Sequence, residues 1–262
     1  MKDALSPDTA PLSASFSLRV FGVLYGGVCY LVFLGVFLYT IGFVGNLIVL
    51  KSIDSGDSVS LAEALPVNLL LLGLFTIQHS VMARPAFKRW WTRFVPSPVE
   101  RSSYVLLSSL LLALLFWQWR PMPGPVWHVQ QPMGVAVLWG LFFFGWLVAL
   151  ISTFLIDHFD LFGLRQVWLF ATGKPCSPPL FRTRAFYRVV RHPIMLGFII
   201  AFWATPDMTW GHLLFAFTTT AYILIAVRLE ERDLRDIHGH VYKEYQQRVS
   251  MLIPWASGKR KA

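Results

Sequence analysis

The sequence predicts an all-α fold, a polytopic transmembrane helical bundle of five or six spans that ends in a helical hairpin and a cytoplasmic juxtamembrane helix. Of the 262 residues, 55% are hydrophobic and 14% are charged, and the mean hydropathy is +0.55. Soluble domains average about 25% charged residues, so lipid is the expected solvent here. The net charge of +9 would suit nucleic acid or an anionic membrane surface. Because the basic residues stand between apolar runs, we expect the lipid bilayer, and no nucleic acid, as a partner.

Four apolar runs of about 20 residues predict the first four spans. They are Val20–Leu50, Leu61–Met82, Ser103–Trp119 and Pro132–Ile156. The first run is longer than a bilayer needs and is rich in glycine, which predicts tilt or close helix packing. It is also too long for the core of a signal peptide, so we expect it to be a spanning helix.

The last apolar region predicts the hairpin. Ile194–Thr205 is too short for an ordinary span, whereas Trp210–Val227 has full length. Pro206 marks the turn between the two arms, and we expect the first arm to be tilted or partly re-entrant. This short arm is the reason that the predicted count is five or six.

After the hairpin, Gly239 predicts a helix stop. Tyr242, Tyr245 and Val249 then share one face of a short amphipathic helix that ends before Pro254. This juxtamembrane helix either lies on the membrane or folds over a binding cleft as a lid.

Loop charges predict the orientation. The connections after the second and fourth spans and the C-terminal tail are rich in cations, whereas the alternate loops are poor in them. The cations are Arg84, Lys88, Arg89, Arg93, Arg101, Arg165, Lys174, Arg182, Arg184, Arg188, Arg191, Arg228, Arg232, Arg235, Lys243, Arg248, Lys259, Arg260 and Lys261. By the positive-inside rule, both termini are expected to be cytoplasmic.

With this topology, polar residues from distant stretches converge at the cytoplasmic face. The predicted set is Gln78, His79, Asp157, His158, Asp160, Arg191, His192, Pro193, Glu230 and Glu231. Polar groups at the ends of spans are commonly ordinary interface residues, but ionisable residues at membrane depth more often have a function. Their convergence favours one cleft that opens to the cytoplasm.

The segment Arg191-His192-Pro193 begins the hairpin and predicts an anion site. Pro193 suits the first position of a helix, where its missing N–H would have no intrahelical partner. The N–H groups that follow and the helix dipole attract an anion. Arg188 and Arg191 could add a guanidinium fork, and Gly197 would let a ligand or another helix approach the backbone. The alternative is a basic belt beside lipid headgroups.

The segment that follows the second arm permits two interpretations. Glu231 lies four residues before Arg235, and such pairs form salt bridges on one face of a helix. Arg232 and Asp236 repeat the spacing, so this segment could be only a salt-bridged helix end. Glu230 lies closest to the membrane and is the better candidate for a ligand contact.

The last third of the chain carries three motifs in a fixed order. They are Arg191-His192-Pro193-x-x-x-Gly197, Glu230-Glu231-x-x-Leu234 and Gly239-x-x-Tyr242-x-x-Tyr245-x-x-x-Val249-x-x-x-x-Pro254. Together they resemble the C-terminal signature of the isoprenylcysteine carboxyl methyltransferase superfamily, integral membrane enzymes that use S-adenosyl-L-methionine (S-adenosylmethionine). The resemblance implies a cofactor site made of Arg188, Arg191, His192, Pro193, Gly197, Glu230, Glu231, Tyr242 and Tyr245.

In such a site, arginine and the helix N-terminus would hold the cofactor carboxylate. Glu230 or Glu231 would hold the ammonium or a ribose hydroxyl, and the tyrosines would cover the adenine and contact the sulfonium through cation–π interaction. Residues 1–156 would then form the N-terminal transmembrane helices. Residues 157–262 would supply the loop, the hairpin and the tail of the cofactor-binding part.

Two further stretches resemble a narrower family. Gln78–Pro85 (QHSVMARP) and Phe154–Trp168 (FLIDHFDLFGLRQVW) are similar to the bacterial methanethiol S-methyltransferase family, whose members make dimethyl sulfide. The resemblance implies a small volatile thiol as methyl acceptor, the bacterial cytoplasmic (inner) membrane as location, and a substrate site at Gln78 and Arg84. Met195 stands where the wider superfamily has an aromatic residue, which weakens a carry-over of prenylcysteine or phospholipid specificity.

A thiol acceptor needs a base or a water relay, because a thiol with a pKa near 8.5 is mostly protonated at neutral pH. His79 is the first candidate for this base, and Asp157 or His158 is the next. A dry apolar pocket would also favour the reaction, since thiolate and sulfonium merge their opposite charges in the transition state.

Other classes of membrane protein stay open at this point. A methyltransferase for prenylcysteine or lipid shares the signature, and a membrane reductase that binds NADPH has a similar C-terminal region. A di-metal oxygenase needs clustered ligands, whereas the histidines here are mostly isolated, and Cys29 and Cys176 make no zinc site, so we predict no metal. A transporter or accessory subunit could share the discontinuous hairpin, but no inverted repeat is visible.

Overall fold

The computed structural model describes residues 15–57, 59–176 and 183–254. Four of the cations that predict the orientation, Arg182, Lys259, Arg260 and Lys261, lie outside the described residues. The described part forms α-helices, one 3₁₀ turn (Ala185–Arg188) and two short strands. In chain order these are α1 (Phe16–Gly45), α2 (Leu61–Ala83), α3 (Pro85–Trp91), α4 (Ser97–Gln118), β1 (Pro125–His128), α5 (Pro132–Ile156), α6 (His158–Leu161), α7 (Leu164–Ala171), α8 (Pro193–Trp203), β2 (Asp207–Thr209), α9 (Trp210–His238) and α10 (His240–Arg248).

Five helices of the described part, α1, α2, α4, α5 and α9, are long and apolar enough to cross a membrane. α8 is also apolar but has only 11 residues. Lipid offers no hydrogen-bond partners to the backbone, whereas a helix pairs its own N–H and C=O groups. These five apolar helices therefore indicate an integral membrane protein. The predicted polytopic helical bundle is confirmed, and the short sixth segment is the first arm of the hairpin.

The first span ends earlier than its hydropathy predicts. The prediction extends it to Leu50, but α1 ends at Gly45, and Asn46 adopts a φ of +50°. This left-handed conformation does not continue a helix, and asparagine adopts it more readily than most residues. The side-chain amide of Asn46 donates to a carboxylate oxygen of Asp54 at 2.6 Å. An apolar run alone does not reveal this local turn.

Two other spans are longer than their apolar runs. α4 begins at Ser97 rather than at the predicted Ser103, and α9 continues to His238 rather than ending at Val227. α5 has the predicted bounds. Hydropathy marks only the part of a helix that lies in lipid, whereas helical hydrogen bonding can continue beyond the bilayer.

The predicted hairpin has both arms and its turn, but the turn also contains a strand that was not predicted. β2 pairs antiparallel with β1, the strand before α5. Strands of three and four residues are too short to show the alternation of a half-buried strand. Gly239, with a φ of +55°, separates α9 from α10, which confirms the predicted helix stop.

The chain divides into two compact units, which we describe separately. The described parts of the first unit lie within Met1–Thr40, Gly73–Gln118 and Asp157–Phe181, and those of the second lie within Ile41–Leu72, Trp119–Ile156 and Arg182–Ala262. The predicted site residues are divided between them. Gln78, His79, Arg84, Asp157, His158 and Asp160 belong to the first unit, and Arg188, Arg191, His192, Pro193, Gly197, Glu230, Glu231, Tyr242 and Tyr245 belong to the second.

Candidate active site

In the second unit, the start of α8 is the centre of the predicted anion site. His192 precedes the helix, and Pro193 occupies its first turn as predicted. Within the described part of the chain, the side chain of His192 makes no capping hydrogen bond to this helix end. The chain before α8 runs beside the C-terminal segment, because the N–H of Arg191 donates to the carbonyl of Ser250 at 2.8 Å and that of His192 to Met251 at 3.2 Å. Residues from the far end of the sequence therefore border the N-terminus of α8.

Glu231 is the carboxylate that organises this region. Its Oε1 accepts from Nε of Arg191 at 2.6 Å and lies 3.1 Å from Nε2 of His192. Its Oε2 accepts from the side-chain amide of Gln246 at 2.9 Å. The side chains of Arg191 and Glu231 are only 10% and 9% exposed, so this is a buried ion pair. Removing one partner of such a pair costs about 3–5 kcal/mol, because the other charge is left uncompensated.

The guanidinium of Arg191 also ties down the C-terminal segment. Its Nη1 donates to the carbonyl of Gln246 at 3.1 Å and to that of Val249. The predicted fork of Arg188 and Arg191 stays a prediction. Arg188 is exposed and donates at 3.4 Å to the carbonyl of Thr183. A buried guanidinium needs a compensating anion, and Glu231 of the protein itself provides it.

The salt-bridged helix end that the sequence permitted is not formed. Glu231 contacts Arg191 and His192 rather than Arg235. Within the described part of α9, Arg232 makes no ion pair with Asp236, the residue four positions later. The two adjacent glutamates thus have different environments, since Glu231 is buried whereas the side chain of Glu230 is 49% exposed.

Glu230 is the exposed carboxylate beside the start of α8. Its Oε2 lies 3.6 Å from Nδ1 of His192. His192 therefore stands between the two glutamates, with one ring nitrogen towards each. This arrangement leaves the carboxylate of Glu230 partly accessible to a ligand, while that of Glu231 is occupied.

The two predicted tyrosines fix α10 in place. Tyr242 is 1% exposed, and its ring meets that of Tyr245 edge-on at 5.8 Å. The hydroxyl of Tyr245 donates to the carbonyl of Tyr187 at 2.5 Å. Burial raises the pKa of Tyr242 above its usual range and that of Tyr245 to about 12. Both phenols are therefore protonated, and Tyr242 has no exposed ring face that could cover an adenine.

Gly197 permits a close helix crossing. A Cβ at this position would lie 2.5 Å from the carbonyl oxygen of Gly145 and 2.7 Å from the backbone nitrogen of Ala149. α5 thus fills the space beside the glycine. Of the two predicted roles, the structure shows the approach of another helix, and on this side Gly197 has no room for a cofactor.

In the first unit, His79 lies in a hydrogen-bond network between α2 and α4. The hydroxyl of Tyr104 is 3.0 Å from Nε2 and 3.1 Å from Nδ1 of His79. The hydroxyl of Ser108 is 3.3 Å from Nδ1 and donates to Oε1 of Gln78 at 3.2 Å. Tyr104 and Ser108 are not among the site residues predicted from the sequence. The two residues are four positions apart in an apolar helix, so their hydroxyls lie on one face. This spacing is the feature of the sequence that could have predicted them.

His158, the second candidate base, has a separate environment. Its Nε2 lies 2.8 Å from the hydroxyl of Tyr30, and the ring of Phe162 meets it edge-on at 4.8 Å. The side chain is buried, and burial lowers the pKa of His158 below its usual range. The imidazole is therefore neutral at physiological pH.

The carboxylates near His158 have structural contacts. Asp157 caps α6, because its side chain accepts from the backbone N–H of Asp160 at 3.2 Å. Asp160 accepts from Arg165 at 2.8 Å, which raises the pKa of that guanidinium. Arg84, which with Gln78 makes up the predicted substrate site, donates from Nε to the carbonyl of Ser80 at 3.3 Å.

The structure thus brings Gln78 and His79 together in the first unit and Arg191, His192, Glu230 and Glu231 together in the second. Their convergence in one cleft stays a prediction. Among the residues that the structure describes, no group of three or more histidine, cysteine, aspartate or glutamate side chains could hold a metal ion.

Comparisons with known proteins give consistent relatives. The family model described as NnrU protein matches residues 68–246. A methanethiol S-methyltransferase of Mycobacterium tuberculosis is 56% identical over 90% of this chain and 97% of its own length. Methanethiol S-methyltransferase 2 of Bradyrhizobium diazoefficiens is 57% identical over 91% of this chain and 92% of its own. The more distant nurim of Rattus norvegicus is 31% identical over 71% and 74% of the two chains. No solved structure matches the chain.

Proposed function

This chain belongs to the NnrU protein family and to the methanethiol S-methyltransferase family, and we propose that it methylates methanethiol to dimethyl sulfide with S-adenosylmethionine as donor. The observation that carries the proposal is identity above one half over nine tenths of both chains to relatives with that name. The polar clusters of the two units supply chemistry that suits the reaction.

The polar groups at the start of α8 suit a ligand that carries both a carboxylate and an ammonium. The first turn of α8 offers backbone N–H groups and the positive end of the helix dipole to the carboxylate. The half-exposed Glu230 suits the ammonium or a ribose hydroxyl. When bound, S-adenosylmethionine supplies an electrophilic methyl group on a sulfonium.

Arg191 and Glu231 act on this site indirectly. Their ion pair and the hydrogen bonds to Gln246 and Val249 hold the C-terminal segment beside the start of α8. Tyr242 and Tyr245 pack α10 in the same place. These four residues therefore position the site, whereas Glu230 and the first turn of α8 bind the donor.

On the acceptor side, His79 is the proposed base. A neutral imidazole can accept the thiol proton, and the hydroxyls of Tyr104 and Ser108 orient its ring. His79 would accept the proton that the thiol sulfur gives up when it receives the methyl group, and the donor would leave as a neutral thioether. His158 is the second candidate. Asp157 is less suited because its carboxylate caps α6.

We place the protein in the bacterial inner membrane with both termini in the cytoplasm, where the donor is made available to the start of α8. The excess of cations in alternate connections supports this orientation. The division into residues 1–156 as membrane helices and 157–262 as the cofactor-binding part stays a prediction. Fusion of a periplasm-activated reporter enzyme to the C-terminus should give an inactive reporter, and an active one would reverse the orientation.

The reaction is tested with purified protein in detergent, methyl-labelled S-adenosylmethionine and methanethiol, with labelled dimethyl sulfide measured by headspace gas chromatography. We expect labelled product from the wild type and much less from Glu230→Gln at limiting cofactor. No product despite cofactor binding in calorimetry would overturn the thiol acceptor and bring back a prenylcysteine or lipid substrate. No binding of the cofactor would contradict the methyltransferase proposal and favour the reductase or transporter.

A further inference from the structure

The connection between α2 and α4 carries an excess of positive charge at a membrane surface. Both flanking helices are long enough to span the bilayer, so the segment that joins them lies at headgroup depth. It contains α3 and the cations Arg84, Lys88, Arg89 and Arg93, and the start of α4 adds Arg101 against Glu100 alone. An anionic surface is the natural environment of such a segment.

Lys88 is the most unusual of these cations. Burial and the neighbouring guanidinium groups of Arg101 and Arg84 lower the pKa of its ammonium, with Glu100 and Asp160 acting in the opposite direction. Within the described part of the chain, the ammonium makes no hydrogen bond or ion pair. The backbone N–H of Lys88 donates to the carbonyl of Arg84 at 3.0 Å, so these two cations lie one helical turn apart, and Arg101 is the third cation near them.

The nearby carboxylates do not neutralise this cluster. Asp160 is engaged by Arg165 at 2.8 Å and accepts from the side-chain amide of Gln166. Glu100 is the one carboxylate left within reach of Lys88, and its Oε1 is buried without a hydrogen bond among the described residues. The balance of charge around Lys88 stays positive, which favours binding of an anion.

The guanidinium of Arg101 is held in position for such a role. Its Nε donates to the carbonyl of Leu161 at 2.8 Å, and its central carbon lies 5.0 Å above the ring of Tyr104. Among the residues that the structure describes, none makes a hydrogen bond with the terminal nitrogens of Arg101. A planar guanidinium matches two oxygens of a phosphate.

Aromatic side chains border the cationic cluster. Trp90 is 47% exposed and Phe94 is 69% exposed. Phe87 and Trp91 of the same segment pack inwards against the cluster that contains Met82. Exposed tryptophan and phenylalanine beside cations are typical of a segment that lies at the boundary of headgroups and acyl chains.

We infer that Lys88 and Arg101, with Arg84 beside them, bind the phosphate of an anionic phospholipid headgroup, while Trp90 and Phe94 contact the adjoining acyl region. A free phosphate would use the same cations but would gain nothing from the exposed aromatic rings. The charge and the apolar edge together therefore favour a lipid.

The test compares the unfolding temperature in nanodiscs of phosphatidylcholine with that in nanodiscs that also contain phosphatidylglycerol. For the wild type we expect the anionic lipid to raise this temperature by about 2–4 °C. Lys88→Gln should lose most of the increase, and Lys88→Arg should keep it. Arg89→Gln removes a neighbouring exposed cation outside the cluster and should retain the increase. The measured quantity is the difference between lipids, so a general change in stability of the variant does not affect it.

Three results would overturn the inference. The first is a wild type with the same unfolding temperature in both kinds of nanodisc, and the second is a Lys88→Gln variant that keeps the full increase. The third is an equal increase from inorganic phosphate in phosphatidylcholine nanodiscs, which would assign the cluster to a soluble anion. Native mass spectrometry should show a retained phosphatidylglycerol on the wild type that is lost in Lys88→Gln.

Discussion

The polar clusters of the two units differ in the charge of their members and in how far apart in sequence the contacting residues lie. In the second unit, the buried pair of Arg191 and Glu231 joins residues 40 apart in sequence and holds the C-terminal segment. In the first unit, His79 contacts the neutral hydroxyls of Tyr104 and Ser108 on a neighbouring helix. A buried ion pair must keep both charges compensated, so it suits a fixed architectural role. A neutral imidazole between hydroxyls can exchange a proton, so it suits chemistry.

The largest loss of stability is expected from Glu231→Ala. This change leaves the Arg191 guanidinium buried without its carboxylate and also removes an acceptor of Gln246, so we expect a loss of about 3–5 kcal/mol in the free energy of unfolding. The measurement is chemical unfolding in detergent. Glu230→Ala is the matched control, because this exposed neighbour should cost less than about 1 kcal/mol. Equal losses in the two variants would contradict the division of roles.

A smaller loss is expected from Gly197→Ala. The added methyl group would press on the backbone of Gly145 and Ala149, forcing α8 away from α5 at a cost of about 1–3 kcal/mol. Gly140→Ala, on α5 itself, meets no atom within 4 Å and serves as the control. A Gly197→Ala protein with unchanged unfolding and unchanged cofactor affinity would show that the close crossing is not needed.

Within the first unit, two hydroxyl deletions separate the candidate bases. Tyr104→Phe removes the hydroxyl beside His79, and we expect kcat to fall about tenfold with little change in KM, because an unoriented base transfers protons less efficiently. Tyr30→Phe removes the hydroxyl beside His158 and should leave kcat nearly unchanged. Steady-state kinetics with both substrates decide between them, and the reverse pattern would make His158 the base.

The smallest expected effect is a pH dependence of stability. Because burial lowers the pKa of His158, the folded state stays neutral where the unfolded state, with a pKa near the ordinary 6.5, takes up a proton. The contribution to stability is therefore complete above pH 6.5 and falls as the pH drops from there through the folded-state pKa. Between about pH 7.5 and pH 5.5, the unfolding temperature of the wild type should fall further than that of His158→Gln. Equal decreases in the two proteins would show that His158 does not contribute to the loss of stability in acid.

Local rules in the sequence identified the parts of the site that depend on local structure. Pro193 at the start of α8 and Gly239 between α9 and α10 follow from backbone conformation alone. Hydropathy gave the spans, but not the turn at Asn46, because a left-handed residue leaves the apolar pattern intact.

Partners that depend on tertiary contacts could not be predicted. The sequence offers Arg235 to Glu231 by helical spacing, whereas the folded chain offers Arg191, which has nothing near it in sequence to indicate this pairing. Likewise, Glu230 and Glu231 are neighbours with opposite environments, and only burial distinguishes them. Tyr104 was missed because a tyrosine in an apolar helix resembles an ordinary packing residue.

The central claim is that donor binding belongs to the second unit and proton transfer to the first. The most direct test measures cofactor dissociation by calorimetry and turnover by headspace chromatography for the wild type, Glu230→Gln and His79→Ala. We expect Glu230→Gln to weaken binding about tenfold or more. His79→Ala should keep the affinity and lower turnover by about 100-fold or more. A His79→Ala enzyme that binds the cofactor as poorly as Glu230→Gln, or that turns over normally, would contradict this account.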